Sequence, residues 1–442
     1  MESYKTTTDM QNLINQTEEY GTIVLQDNYN FSIDNTKIIL GWKRCQKAVQ
    51  LDKEGLIIDG NNKVLRLVIE SALTEDTALF EIAQKSKYTE IKNLQIEIEY
   101  NGSPSGRTIF AVRNLAKNVK FHNCRIKMVC NTQVNMTAFS NEAAIDTTLE
   151  SGADELVVSD SYFTVQSFAI DYSLPQVLFG IRNNLGNSIC LYNNYLFVQN
   201  RGIGEQQQAV GVYNSGRYVR INNNNIKANG NHNVGKQLEA CFTTGLINYG
   251  EYLLLTGNNI VGEWGGQCLG LVNYGNYMKA EGNKILSTHT IKGHTIRQYG
   301  MQGVVANNII TSTSRNPRLV EIYSDNNLIQ GNMIDALLRS ECFSGCGVVV
   351  TGNELRNLSQ VLIKNNMIRG AVDVGVFLRH CEKCAITDNV IEGVVERKHF
   401  VAVLDKTKLN RAADNITENH FSPDEILAES CLDEQKIVSM DY

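Results

Sequence analysis

Proline is nearly missing, with four residues in a chain of 442. So few prolines leave no proline-rich linker to hold compact domains apart. Charge of one sign is not concentrated either. The formal net charge is −6, and the Lys and Arg residues are scattered. Without a basic block to follow a phosphate backbone, nucleic acid is not an expected partner. No apolar run reaches the roughly 18 residues of a membrane-spanning helix, so no membrane partner is expected. The opening MESYKTTTDMQNLINQ has neither the basic nor the apolar region of a secretory signal. It reads as a cytoplasmic protein, a component of a phage particle, or an exported protein lacking its signal. A P-loop, a dinucleotide fingerprint and a Ser-His-Asp spacing are also missing, and no cofactor is expected. Windows of helical periodicity are few.

What is abundant is glycine, at 34 residues, and asparagine. Short apolar strands broken by these two run almost from end to end. The segments VKFHNCRIKM, LYNNYLFV, RINNNNIKA, LLTGNNIVG, KAEGNKILS, LIQGNMIDA and AITDNVIEG each read as strand, tight polar turn, strand. The turn asparagine recurs at Asn194, Asn224, Asn258, Asn283, Asn307, Asn332, Asn353 and Asn389, with central steps of 25, 24 and 25 residues. A fixed step of this size is one turn of a solenoid. Asparagine suits such a corner because it tolerates a left-handed backbone, and stacked amides donate to and accept from each other. Tyr249, Tyr274, Tyr299 and Tyr323 keep nearly the same step. The fold expected is a single right-handed parallel β-helix. Its boundaries read as 1–54 for an N-terminal capping helix and opening strands, 55–421 for the coil and 422–442 for a C-terminal capping helix. Thr8 and Gln11 read as a capping box for a first helix with Met10, Leu13 and Ile14 on one face. Ser422-Pro423-Asp424-Glu425 reads as the start of the last helix.

Eleven cysteines are an odd number for a fully paired framework. Cys124, Cys190, Cys241 and Cys268 occupy strand-like positions and read as reduced core residues. His380-Cys381-Glu382-Lys383-Cys384, with Cys342 and Cys346, has metal-like spacing but no second pair at finger distance, so no metal is expected.

An amphipathic helix, an extended strand and then the Ile58-Asp59-Gly60-Asn61 turn resemble the start of the pectate-lyase-like superfamily of right-handed parallel β-helix proteins, which holds carbohydrate-active enzymes and phage tailspikes. The likeness covers nearly the whole chain through its coil pattern. The acidic calcium cluster of pectate lyases has no counterpart, and only Gly293-His294-Thr295 stands for the Gly-His-Gly of polygalacturonases. The stretch from Asn258 to Leu271 is similar to inulin fructotransferases, with Gly257 and Gly270 where acids are expected. The resemblance implies a carbohydrate-active enzyme on a polysaccharide or oligosaccharide, hydrolase or transglycosylase ahead of lyase or epimerase. The alternative it implies is a non-catalytic, tailspike-like or adhesin glycan binder, a possible homotrimer.

Strand residues alternate between interior and exterior. Leu246, Leu271, Ile296 and Val320 then point inward, and Ile247, Val272, Arg297 and Glu321 outward. Glu341 stands two before Phe343 as Glu321 stands two before Tyr323, which gives an Arg297, Glu321, Glu341 column. Rungs about 4.8 Å apart bring two carboxylates near the roughly 5 Å separation of retaining glycosidases, and mutual repulsion should raise one pKa. Tyr274, Tyr299, Tyr323 and Trp264 offer rings for sugar stacking. Asp325 joins them, and Asp335 is a reserve acid. His289 and His294 are candidate bases for elimination. Loops at 102–108, 131–137 and 200–208 could wall a cleft, with Asp146, Asp171 and Glu205 as its acids. The same features also fit a solvated charge ladder and a structural tyrosine stack.

Overall fold

The computed structural model describes residues 4–32, 45–143, 153–169, 174–202, 207–231, 242–288, 292–337, 345–353, 358–370, 374–392, 399–404, 416–418 and 426–428. The chain divides into two compact units, Met1–Gln267 and Cys268–Tyr442.

In the first unit each rung supplies one strand to each of three parallel sheets. A three-residue strand such as Lys120–His122 enters the first sheet, a longer one such as Arg125–Cys130 the second, and one such as Asn135–Glu142 the third. The register carries Ile91, Phe121, Val158, Leu191 and Ile221 into one column of the first sheet. It carries Leu65, Ile96, Ile126, Phe163, Leu196 and Ile226 into one of the second. All are buried, and each contributes on the order of 1.5–3 kcal/mol by leaving water. Parallel pairing already includes Thr22–Val24 and Tyr29–Phe31.

The helix Thr7–Gln16 buries Met10 and Ile14 as its pattern requires. Its cap is two residues earlier than the spacing suggested, at Thr6 rather than Thr8. Thr6 is the N-cap, and its backbone N–H donates to Asp9 at 2.7 Å, so the shorter Asp completes the box instead of Gln11. Gln11 instead bonds the backbone of Gln50.

The second unit repeats the three-sheet rung. Ile285, Ile310, Ile334, Ile368 and Ile391 form one buried column, and Ile296, Val320, Val348 and Val376 another. The C-terminal helix expected from Ser422 is not what the described residues there form. Ile426–Ala428 is a strand paired in parallel with Val401–Val403, whose backbone it continues to satisfy. The rest of 422–442 lies outside the described residues.

The corner between the first and second sheets splits its work between two adjacent residues. One adopts the left-handed backbone: Asn193, Asn223, Asn307 and Asn365, or Gly257, Gly282 and Gly331. The next points inward and carries the amide ladder. Asn194 donates to Asn224 (3.0 Å) and Asn224 to Asn258 (3.1 Å) in the first unit. Asn283, Asn308, Asn332, Asn366 and Asn389 continue similarly in the second. Asn307 therefore belongs to the strained position rather than the ladder. Asn366, not Asn353, is the ladder member above Asn332. A second amide ladder ends the third-sheet strands: Asn114, Asn141, Asn183, Asn214 and Asn248, and then Asn273 to Gln298 in the second unit. Its signal, Asn or Gln two residues before Gly, was present beside the tyrosines, as in Asn248-Tyr249-Gly250.

Candidate functional site

The third sheet has a bend that decides which side chains meet on its outer face. In the second unit Thr295 and Ile296 both point inward: Thr295 is buried and bonds Ser287 at 2.8 Å, and Ile296 is fully buried. A Cβ on Gly270 would likewise meet Ile285 of the core at 2.6 Å. Two successive inward residues break the alternation, so residues three apart, on either side of the bend, both face outward. Strict alternation would have put His294 and Arg318 inside. The bend turns them out beside Arg297 and Glu321, whose strands pair His294 with Arg318 and Arg297 with Glu321.

These side chains form one network. Glu321 Oε2 accepts from His294 Nδ1 at 2.8 Å and Arg297 Nε at 2.7 Å. Its Oε1 accepts from Arg318 Nη1 at 3.1 Å and the Tyr323 hydroxyl at 2.9 Å. Arg297 Nη2 lies 3.0 and 2.9 Å from the two ring nitrogens of His294, over its ring. Glu321 is 0% exposed. Burial alone would raise its carboxyl, but His294 and the two guanidiniums outweigh this and hold it far below the usual range. Burial lowers His294, which donates as the neutral ring. Glu321 is therefore an ionised acceptor with four donors, and the raised carboxyl expected of one member of the acid pair is not this one.

Above the network stand the tyrosines. Tyr274 and Tyr299 stack at 4.7 Å and 6°, and Tyr299 and Tyr323 at 4.7 Å and 9°. Tyr274 is 43% exposed and the other two are half-buried. In the first unit Tyr249 packs on Tyr213 at 5.7 Å.

The remaining candidates separate from this cluster. Glu341 lies outside the described residues, and the position beside Glu321 on the next strand is Val349, a step of 28 residues. The two columns continue as Cys346, Val374, Val349 and Phe377, an apolar cluster. Asp325 is buried and accepts from the Ser359 backbone at 2.8 Å. Asp335 sits on the second sheet, paired with Arg369 at 2.9 Å. Trp264 belongs to the first unit, at a left-handed turn with φ 53°. His289, Asp146, Asp171, Glu205, Cys241 and Cys342 lie outside the described residues. Cys124 and Cys268 are buried thiols, whereas Cys190 is half-exposed. Cys381 and Cys384 are buried and donate to backbone carbonyls.

A second charge network, unforeseen from sequence, lies on the third sheet of the first unit. Glu81 pairs with Lys47 and with Arg113 at 3.1 Å, and Arg113 reaches Glu142 at 2.9 Å. Burial raises the Glu142 carboxyl, but Arg113 more than offsets this.

No family model and no curated protein matches the chain. Among solved structures, a tailspike of E. coli bacteriophage HK620 in complex with a pentasaccharide aligns at 10% identity and a TM-score of 0.47, over 93% of this chain and 74% of that one. DFA-IIIase from Arthrobacter chlorophenolicus without its lid aligns at 11% and 0.43, over 94% and 93%. The Dettilon tailspike aligns at 11% and 0.39, over 83% of this chain and 62% of that one, so the chain spans less than two thirds of its length. Similarity at this level is one of coil and says nothing of a site. The strands themselves, stacked rung on rung in three parallel sheets with short crossovers, make each unit a right-handed parallel β-helix.

Proposed function

We propose that the outer face of the third sheet in the second unit binds glycan, with Tyr274, Tyr299 and Tyr323 as the platform. The observation that carries this reading is the parallel tyrosine stack, exposed at its Tyr274 end and rooted at Tyr323 in the Glu321 network. A pyranose lays its axial C–H groups on such rings. With Glu321 ionised and His294 neutral, Arg297 and Arg318 leave the network one positive charge in excess, which favours carboxylate-bearing sugars. The finer reading of a hydrolase or transglycosylase acting through Glu321 and Glu341 needs a proton donor other than Glu321, whose carboxylate accepts from four donors, and Glu341 lies outside the described residues. Glu321 is instead a positioning residue for Arg297, Arg318 and Tyr323.

A panel of plant and bacterial polysaccharides tests the proposal. Binding is read by calorimetry, while new reducing ends and the ultraviolet absorbance of unsaturated uronates are followed in the same samples. Elimination gives both chemical signals and hydrolysis the first alone. The platform reading expects binding that falls about tenfold or more in Tyr299→Ala, the loss of one good stacking contact. Binding that is indifferent to Tyr299→Ala and Tyr274→Ala rejects it. Turnover abolished by Glu321→Gln in a protein of unchanged stability restores the catalytic reading.

A further inference from the structure

The first unit carries another surface feature, on a different sheet. The strands Glu90–Lys92, Lys120–His122, Val157–Ser159, Cys190–Tyr192 and Arg220–Asn222 lie in parallel register on the first sheet. Their central residues are core, so the outer residues make two columns on the sheet face, lining an open groove of about 630 Å³. One column runs Glu90, Lys120, Val157, Cys190, Arg220, in which the exposed cations Lys120 and Arg220 bracket two small side chains and Glu90 stands one rung before Lys120. Three rung steps separate the cations, on the order of 14 Å at ~4.8 Å per rung. Neither cation has an ion-pair partner among the described residues. The other column runs Lys92, His122, Ser159, Tyr192, Asn222, in which Ser159 is buried. His122 and Lys92 share Glu90, at 3.2 and 3.3 Å. Asp160, at the far edge, accepts from the Asn193 amide at 3.1 Å. Tyr192 is 37% exposed.

We infer that this groove is a second glycan site, for an acidic oligosaccharide lying along the coil axis. One wall supplies two exposed cations with no ion-pair partner among the described residues, and the other an aromatic ring with hydroxyl, amide and imidazole groups. That pairing fits a sugar whose carboxylates project to one edge and whose hydroxyls project to the other. A neutral sugar would leave Lys120 and Arg220 unused, and an apolar ligand would leave both walls unpaired. The inference does not rest on the tyrosine platform, which shares none of these residues.

Cys190, between the two cations, makes the test direct, because it is half-exposed while the other seven described cysteines are buried. The full chain is titrated with an oligogalacturonate hexasaccharide and with the same oligomer after reduction of its carboxyls to alcohols. Affinity is read by calorimetry, and maleimide labelling of Cys190 by peptide mass mapping. The acidic oligomer should bind and slow labelling of Cys190, and the reduced one should do neither. Lys120→Ala and Arg220→Ala should each weaken binding at this site about tenfold, the loss of one charge-assisted contact. Both residues are exposed, so neither change threatens folding. Protection of Cys190 should persist in Tyr299→Ala, which separates failure here from failure of the platform. Equal binding of the reduced oligomer, unchanged affinity in the Lys120→Ala/Arg220→Ala double variant, or undiminished labelling at saturating acidic oligomer overturns the inference.

Discussion

A carboxylate with no access to water survives burial only when donors replace the lost solvation, and Glu321 has four. Removing its charge strands two guanidiniums that were positioned to meet it. Glu321→Gln should therefore destabilise the protein by about 3–5 kcal/mol near neutral pH, measured by denaturant unfolding. The pH dependence follows from the signs. Glu321 and His294 both titrate lower when folded than unfolded, so the unfolded chain binds more protons and stability rises with pH. The His294 contribution is lost on acidification below its ordinary value of 6.5, and that of Glu321 below 4.5. Thermal melts of Glu321→Gln should accordingly converge on those of the wild type as pH falls below this second value. A constant gap between the two would contradict the network. Arg297 and Glu321 were legible as a column because alternation holds on their side of the bend. Arg318 was not, because a bend that turns two successive residues inward leaves no mark in a period of two.

At the scale of the element, the corner asks for two different properties in neighbouring residues. The left-handed position accepts Asn or Gly, as Gly257, Gly282 and Gly331 show, while the ladder position needs a buried amide. Asn307→Gly should then be nearly neutral, within about 0.5 kcal/mol, since glycine meets no penalty at positive φ. Asn308→Ala should cost about 1–3 kcal/mol, because it leaves groups on both neighbouring rungs unpaired. Chemical denaturation of the two variants side by side checks this, and the reverse order would reject the assignment. Sequence spacing alone could not separate Asn307 from Asn308, because both are asparagine and the step between rungs alternates by one residue. The tyrosine stack was legible because its step stayed regular from Tyr274 to Tyr323. Glu341 was misplaced for the opposite reason: four extra residues between Ala336 and Cys346 lengthen the step to 28 residues and bring Val349 beside Glu321.

At the scale of the whole molecule, a coil makes residues about one rung apart in sequence into vertical neighbours, and stability accrues from one rung to the next. The repeat was readable because each rung must solve the same two corners and fill the same interior, so the same residue types return. The sites were far less readable. Outer faces are under no such demand beyond the tyrosine stack, and the groove between Lys120 and Arg220 arises only once four rungs are stacked. Every column named above depends on the register, and a cross-link tests it most directly. Lys284 and Ile309 are paired across adjacent strands and exposed, and Met333 is the next step beyond Ile309. Neighbouring strands about 4.8 Å apart fall within the Cα range of a disulfide, and two steps exceed it. Lys284→Cys/Ile309→Cys should oxidise to a disulfide identified by peptide mapping, and Lys284→Cys/Met333→Cys should not. A bond in the second pair, or none in the first, would contradict the coil.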